Sequence, residues 1–379
     1  MKKIFAMLLL ACMILSLAAC GQQAAPAPAA EQPAAEEPAP AEEAAPAEEA
    51  APAEEAAPAE EAAPAEEPAA AAEYKLGMGV SLNMNSSKAG NAQVDATVAA
   101  VVTDAAGKIV AVKLDVAQNK MNITDGEVET DKEFKTKLEL GDDYNMVKFS
   151  DAVAEWYDQA AAFEAYVIGK TADEVAGTET VVNDEGHTVV TDETLYASCS
   201  ISVGDFIEAI VKACNDDQAQ TFTAGEFKLG LAAITEIDAA TKAATADEDG
   251  LAAMYTDFAA AVVDGEGKII VAITDAVQPK ISFDAAGEIV ETTFNGTKRE
   301  LKEDYNMVKF SNATLEWYQQ AQNFVDYAAG KTAEELRASE TTVNEEGHQV
   351  FVDEALYASV SISVDGMINV VAKAADNAA

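Results

Sequence analysis

The sequence predicts an α+β fold in two tandem repeats, each an antiparallel sheet with helices packed on one face, behind a disordered amino-terminal tether. Three observations carry this expectation. The octapeptide Asp143-Tyr144-Asn145-Met146-Val147-Lys148-Phe149-Ser150 returns unchanged as Asp304 to Ser311, and the offset of 161 residues then holds to the end of the chain. Within each copy, apolar runs of strand type come first and stripes of helical spacing come second. Of 11 prolines only Pro279 lies beyond Tyr74, where a segment of Ala, Pro and Glu gives way to mixed sequence.

The first module is expected over residues 74–216 and the second over 222–379, each near the usual size of a single domain. Lys75-Leu76-Gly77 corresponds to Lys228-Leu229-Gly230, so the second copy carries extra residues around Ala239 to Gly250. Val98 to Thr103 is an apolar β-rich run, Asp104 to Gly107 is a turn, and Val112, Leu114 and Val116 alternate with more polar neighbours. Together they predict a half-buried hairpin, which Asp264-Gly265-Glu266-Gly267 repeats. Gly126 and Gly287 mark a further turn into a strand at Glu127 to Thr130 and its counterpart. Ser150 is expected to cap a helix whose buried stripe is Trp156, Ala160, Phe163 and Val167, ended by Gly169. Thr171-Ala172-Asp173-Glu174 and Thr332-Ala333-Glu334-Glu335 read as capping boxes opening a short second helix. After a polar turn at Asn183 to Gly186, a last helix follows Ser202, with Ile207, Ile210, Val211 and Cys214 inward. Ile368, Val371, Ala372 and Ala375 take those places in the second copy.

Residues 1–19 read as an export signal: Lys2 and Lys3 precede an apolar stretch from Ile4 to Leu17, and Leu17-Ala18-Ala19-Cys20 forms a small-residue cleavage box. The box resembles that of bacterial lipoproteins. The resemblance implies cleavage before Cys20, lipid on its sulfur, and an extracytoplasmic chain anchored to a bacterial membrane; the alternative is an ordinary secretory signal. Residues 20–73 form the lipidated cysteine and tether. With no large apolar side chains, the tether has nothing to bury against its ordering entropy. At about 3.1 Å per residue in a polyproline-like conformation, some fifty residues reach on the order of 150 Å.

The formal net charge is −43, from 67 acidic against 24 basic residues. A field of that sign disfavours nucleic acid and anionic surfaces as partners, and serves solubility more simply than it serves a cationic partner. Beyond the signal and Cys20 only Cys199 and Cys214 remain, and Val360 and Ala375 replace them in the second copy. They read equally well as a disulfide or as two buried thiols.

No strong catalytic signature is present, and enzymatic activity is not expected. His187 and His348 follow glycine in turns, without the second imidazole or thiolate that a metal centre would need. Phosphate-loop, nucleophile-elbow and calcium-loop patterns are absent from the sequence. What remains is a polar and aromatic cluster at the sheet-to-helix junction: Asp143, Tyr144, Asn145, Lys148, Trp156 and Tyr157, matched by Asp304, Tyr305, Asn306, Lys309, Trp317 and Tyr318. Such groups suit a small planar or sugar-like ligand, while turn formation by the Asn and packing by the Trp is the simpler account.

The closing segment Leu195-Tyr196-Ala197-Ser198-Cys199-Ser200-Ile201-Ser202, its following helix, and the Gly107-Lys108-Ile109-Val110 hairpin resemble the layout of flavin mononucleotide-binding domains of electron-transfer proteins. In that family a threonine in Ser-Gly-Ala-Thr-x-Thr takes the flavin. The resemblance implies FMN as a cofactor and places Ser200 and Ser361 at the attachment position, although Ser198-Cys199 and Ser359-Val360 stand where the family has Gly-Ala. The sequence thus points to a lipid-anchored protein displaying two non-catalytic modules for a small ligand or a surface partner, with a flavin-carrying electron-transfer lipoprotein as the alternative.

Overall fold

The computed structural model describes residues 71–378, so the signal, Cys20 and nearly all of the tether lie outside the described residues. The described chain is a mixed α+β structure with antiparallel sheets. Its first half runs β1 (Ala72–Asn83), β2 (Asn91–Asp104), β3 (Ile109–Thr124), β4 (Glu127–Val128), α1 (Lys137–Leu140), α2 (Met146–Phe149), α3 (Trp156–Val167), α4 (Ala172–Ala176), β5 (Thr180–Val182), β6 (Thr188–Val190), α5 (Glu193–Tyr196) and α6 (Gly204–Cys214). The second half runs β7 (Gln220–Ala224), β8 (Lys228–Ile237), β9 (Gly250–Val263), β10 (Ile269–Val277), β11 (Lys280–Phe283), β12 (Ile289–Thr293), α7 (Lys298–Leu301), α8 (Met307–Phe310), α9 (Trp317–Ala328), α10 (Ala333–Arg337), β13 (Thr341–Val343), β14 (Gln349–Phe351), α11 (Glu354–Ser359) and α12 (Asp365–Asn377). Short 3-10 turns at Gly141–Tyr144 and Lys302–Tyr305 follow α1 and α7.

The first sheet has the order β4-β3-β2-β1-β7. In the second, β9 pairs β8 and β10 along one stretch and β11 along another. Pro279 explains one difference between the sheets. It has no N–H to give to a ladder, and the strand run breaks there into β10 and β11, whereas β3 runs unbroken over 16 residues.

The expected hairpin is present, with Gly107 at φ +73° in its turn; β3 keeps most of the expected alternation, with Val112, Leu114 and Val116 buried and Lys113 exposed, while β2 is buried on both faces. Ala99 and Val101 of β2 face α3 and α6, while Val98, Ala100 and Val102 face Phe258, Ala260 and Val262 of the other sheet. Each sheet therefore carries helices on one face and the second sheet on the other, giving four layers. A further cluster joins Val94, Met121 and Ile123 to Met254, Ile281 and Phe283. Residues expected as two separate modules thus share a core, and β7, which opens the second stretch, pairs with β1 of the first sheet.

Ionic and polar contacts lock the same interface. Lys212 reaches Glu300 at 3.2 Å, and Lys373 reaches Glu139 at 2.6 Å. Arg299 grips Asp216 through both guanidinium ends at 3.0 and 3.4 Å, in a pair almost sealed from solvent, and also donates to the Gln218 carbonyl.

The stripe Trp156, Ala160, Phe163 and Val167 is buried as expected, and both Thr capping boxes form. Ser150 does not cap α3. Its hydroxyl donates to the Met146 carbonyl and closes α2, and Glu155 takes the cap position of α3. In α6 the buried face is Phe206, Ala209, Ile210 and Ala213, a rotation from the expected Ile207, Val211 and Cys214, which are half-buried. In α12 the expected Ile368, Val371, Ala372 and Ala375 are all buried, together with Met367, Val370 and Ala374, and both helices approach a strand of their own sheet closely. A Cβ on Gly77 would lie 2.0 Å from the Ala213 carbonyl oxygen, and one on Gly230 would lie 1.9 Å from that of Ala374. Cys199 and Cys214 are free thiols, Cys199 buried.

Backbone cannot yield there as a flexible side chain would. Gly230→Ala is therefore expected to destabilise the fold by about 1–3 kcal/mol or more, as overpacking does, while Gly265→Ala in the open turn stays near neutral. Paired thermal melts check this.

Candidate functional site

Each junction is built by a buried carboxylate. Asp115 Oδ1 accepts from the amides of Val116 (2.7 Å) and Leu138 (3.2 Å); Asp275 Oδ1 accepts from those of Ala276 (2.8 Å) and Arg299 (3.0 Å). Each thereby ties a sheet strand to the first turn of α1 or α7. Those turns are closed by Thr136 with Glu139 and by Thr297 with Glu300, both reciprocal capping boxes. Burial pushes both aspartates up to about 6, against the pull of these hydrogen bonds.

The turn aims Lys298 inward. Its ammonium is buried, donates to the Tyr255 hydroxyl at 2.9 Å, and lies 4.5, 4.9 and 5.2 Å from the ring centres of Tyr255, Tyr305 and Trp317. Desolvation lowers its pKa, opposed by Asp257, Asp275 and Asp238. In the first half Lys137 lies 5.0 and 5.5 Å from the Tyr144 and Trp156 rings. Asp95 holds the place in its strand that Tyr255 holds before the second hairpin turn, so that cage has one wall fewer.

Lys298 opens onto a cleft of about 1520 Å³ in the second half. Tyr255, Asp257 and Trp317 line its floor with Lys298. Met307, Lys309, Phe310, Tyr357, Ser361 and Met367 form walls, and Glu236, Asp238, Glu345, Glu346, His348 and Asp365 surround them. The volume exceeds that of a typical small-molecule pocket, and its mixture of aromatic area with few buried charges suits an elongated polar ligand.

The residues expected at the junctions divide. Trp317 and Lys309 line the cleft, as does Ser361 of the closing segment, and Tyr305 supports Lys298 from behind while donating to Gln278. Asn145 and Asn306 sit in the left-handed region at φ 55° and 59°, their side-chain amides held by the Asp143 and Asp304 carbonyls, so both shape turns. Lys148 and Lys309 rest over the exposed rings of Phe149 and Phe310. Tyr157 donates to Asp142, and Tyr318 to Glu303, on the outer surface. Trp156 is core, edge-on to Phe206.

Ser200 and Ser361 share an arrangement that sequence reading missed. Fully buried Gln159 accepts from the Ser200 amide at 2.8 Å and its hydroxyl at 3.1 Å. Gln320 accepts from the Ser361 amide at 2.8 Å, its hydroxyl at 3.2 Å, and the Ile362 amide. Each Gln also donates to a carbonyl at the start of its own helix. The serines therefore join the last segment to α3 or α9. Both histidines project from turns into solvent beside Glu185 and Glu346. Among the described residues no cluster of three or more metal-ligating side chains occurs.

Gln320→Leu should cost about 1–3 kcal/mol, because two amides and a hydroxyl lose their acceptor together; urea unfolding checks it. The buried aspartates give a pH signature. Their folded pKa lies above the unfolded 3.8, so the folded state binds more protons, and their contribution, full below about pH 4, is lost as pH rises through about 6. Asp115→Asn is expected to flatten the fall in stability between pH 4 and 7 relative to the unsubstituted protein, read as urea midpoints at both ends of that range.

No family model, no curated protein and no solved structure matches the chain.

Proposed function

We propose that this chain is a lipid-anchored extracytoplasmic binding protein without catalytic machinery, in which one module occurs twice and the second copy presents a ligand cleft. The cleft floored by Lys298, Asp257, Tyr255 and Trp317 is the observation that carries the reading. Duplication is supported by the recurring octapeptide, by the matching Thr-x-x-Glu boxes, and by the paired approaches of Ala213 to Gly77 and Ala374 to Gly230. Anchoring rests on the Cys20 motif, which lies outside the described residues, together with the acidic tether behind it. No helix of the described residues is long and apolar enough to cross a membrane. Membrane attachment in this reading comes from acyl chains, and two or more suffice for stable anchoring.

The alternative is a flavin carrier. Ser361, at the position that the family resemblance assigns to attachment, lines the cleft, although its hydroxyl is already held by Gln320. Mass spectrometry of the intact protein purified from its own host separates these readings. The binding reading expects acyl mass on Cys20 and a non-covalent small molecule whose occupancy falls in Tyr357→Ala, a half-exposed wall residue. Covalent flavin mass on Ser361 would replace it with the carrier reading, and a ligand-free protein that no small molecule stabilises against heat would remove the binding reading altogether.

A further inference from the structure

Asp257 and Lys298 present an unusual pairing. Both side chains are buried and both line the cleft, yet they do not form an ion pair with each other within 4 Å. Among the described residues no hydrogen bond reaches the Asp257 carboxylate, and Lys298 uses one of its three N–H donors, on Tyr255. A largely buried acid and base whose remaining hydrogen-bonding capacity faces a cleft are placed to meet a ligand of complementary charge. Room has been kept for the acid. Gly366, the second residue of α12, lies beside it, where a Cβ would fall 2.5 Å from Asp257 Oδ2.

The corresponding places in the first half are finished differently. Thr97 stands where Asp257 does relative to the hairpin turn, and Asp205 stands where Gly366 does relative to the octapeptide. Asp205 is answered from within the protein, by the Ser81 hydroxyl at 3.2 Å and the Asn83 amide at 3.1 Å. In the second half Asp257 instead faces the cleft.

Building on the binding function proposed above, we propose that the cleft takes a zwitterionic amino compound, an amino acid or short peptide, whose α-ammonium group meets Asp257 and whose carboxylate meets Lys298. One ligand then supplies the donors that Asp257 lacks and the acceptor that Lys298 lacks. Glu236, Asp238, Glu345, Glu346 and Asp365 around the cleft favour a basic side chain, whose aliphatic part packs on Phe310 and Tyr357. The cleft's length gives a short peptide space that a single residue would not fill.

Trp317 fluorescence and calorimetric titration of the whole mature protein with L-arginine, agmatine and Nα-acetyl-L-arginine test this. L-arginine is expected to bind at least tenfold more tightly than agmatine, which lacks the carboxylate, and than the acetyl derivative, which lacks the α-ammonium. Asp257→Asn is expected to lower L-arginine affinity at least tenfold with the circular dichroism spectrum unchanged. Equal binding of either analogue, or no binding of L-arginine and of Arg-containing dipeptides, would overturn the assignment. The analogue comparisons need no variant, so they decide the matter even where Asp257→Asn does not fold. A cleft that rejects all of these but holds a different native molecule would overturn the zwitterion and leave the binding function standing.

Discussion

The contact between the two sheets is the constraint on which the rest of the molecule depends. Val98, Ala100 and Val102 meet Phe258, Ala260 and Val262, and every strand residue on these faces would be wet without the opposite sheet. At roughly 25 cal/mol per Å² of apolar surface removed from water, a face of this kind contributes far more than any single ion pair at its edge. Small side chains let the layers approach closely, and burial of both faces explains why β2 and β9 read as nearly continuous apolar runs.

Polar contacts then fix how the sheets meet. Glu139 and Glu300 each serve twice, completing a capping box within one half and receiving a lysine from the other. The reciprocity resembles a two-fold interface between subunits, here contained in one chain. Arg299 and Asp216 add a buried bidentate pair in one direction only. Such a pair adds little net stability over an apolar substitute, but leaving either partner alone is expensive, so it selects one docking of the connecting segment. The cleft floor inherits this precision, because Lys298 neighbours Arg299 on α7 and Asp257 lies on a strand of the sheet interface.

Much of the fold was legible in the sequence, for identifiable reasons. The Trp156 stripe and the Thr171 and Thr332 boxes depend on local spacing, and they formed as read. Thr136 with Glu139 and Thr297 with Glu300 carry the same signature, but α1 and α7 are single turns without the apolar stripe that marks a helix in sequence. The second burial face of the sheets was not legible, because a run of Val and Ala does not say whether a helix, a sheet or solvent lies opposite. The expected inner face is buried throughout in α12 but only at Ile210 in α6, and the close approach of both helices to Gly77 and Gly230 is a long-range contact that helical periodicity does not contain. At the site, the sequence marks Trp317, Lys309 and Ser361 but gives no sign of Asp257, Tyr255, Lys298 and Gln320. Each of these is a polar residue embedded in an ordinary strand or helix pattern, and only the tertiary arrangement brings it to the cleft or the serine.

Scanning calorimetry of residues 71–379 tests the shared core most directly. Two halves that complete one interior should melt in a single transition whose calorimetric and van't Hoff enthalpies agree. Two separable transitions, each carrying about half the enthalpy, would contradict the account and describe two lobes that merely touch.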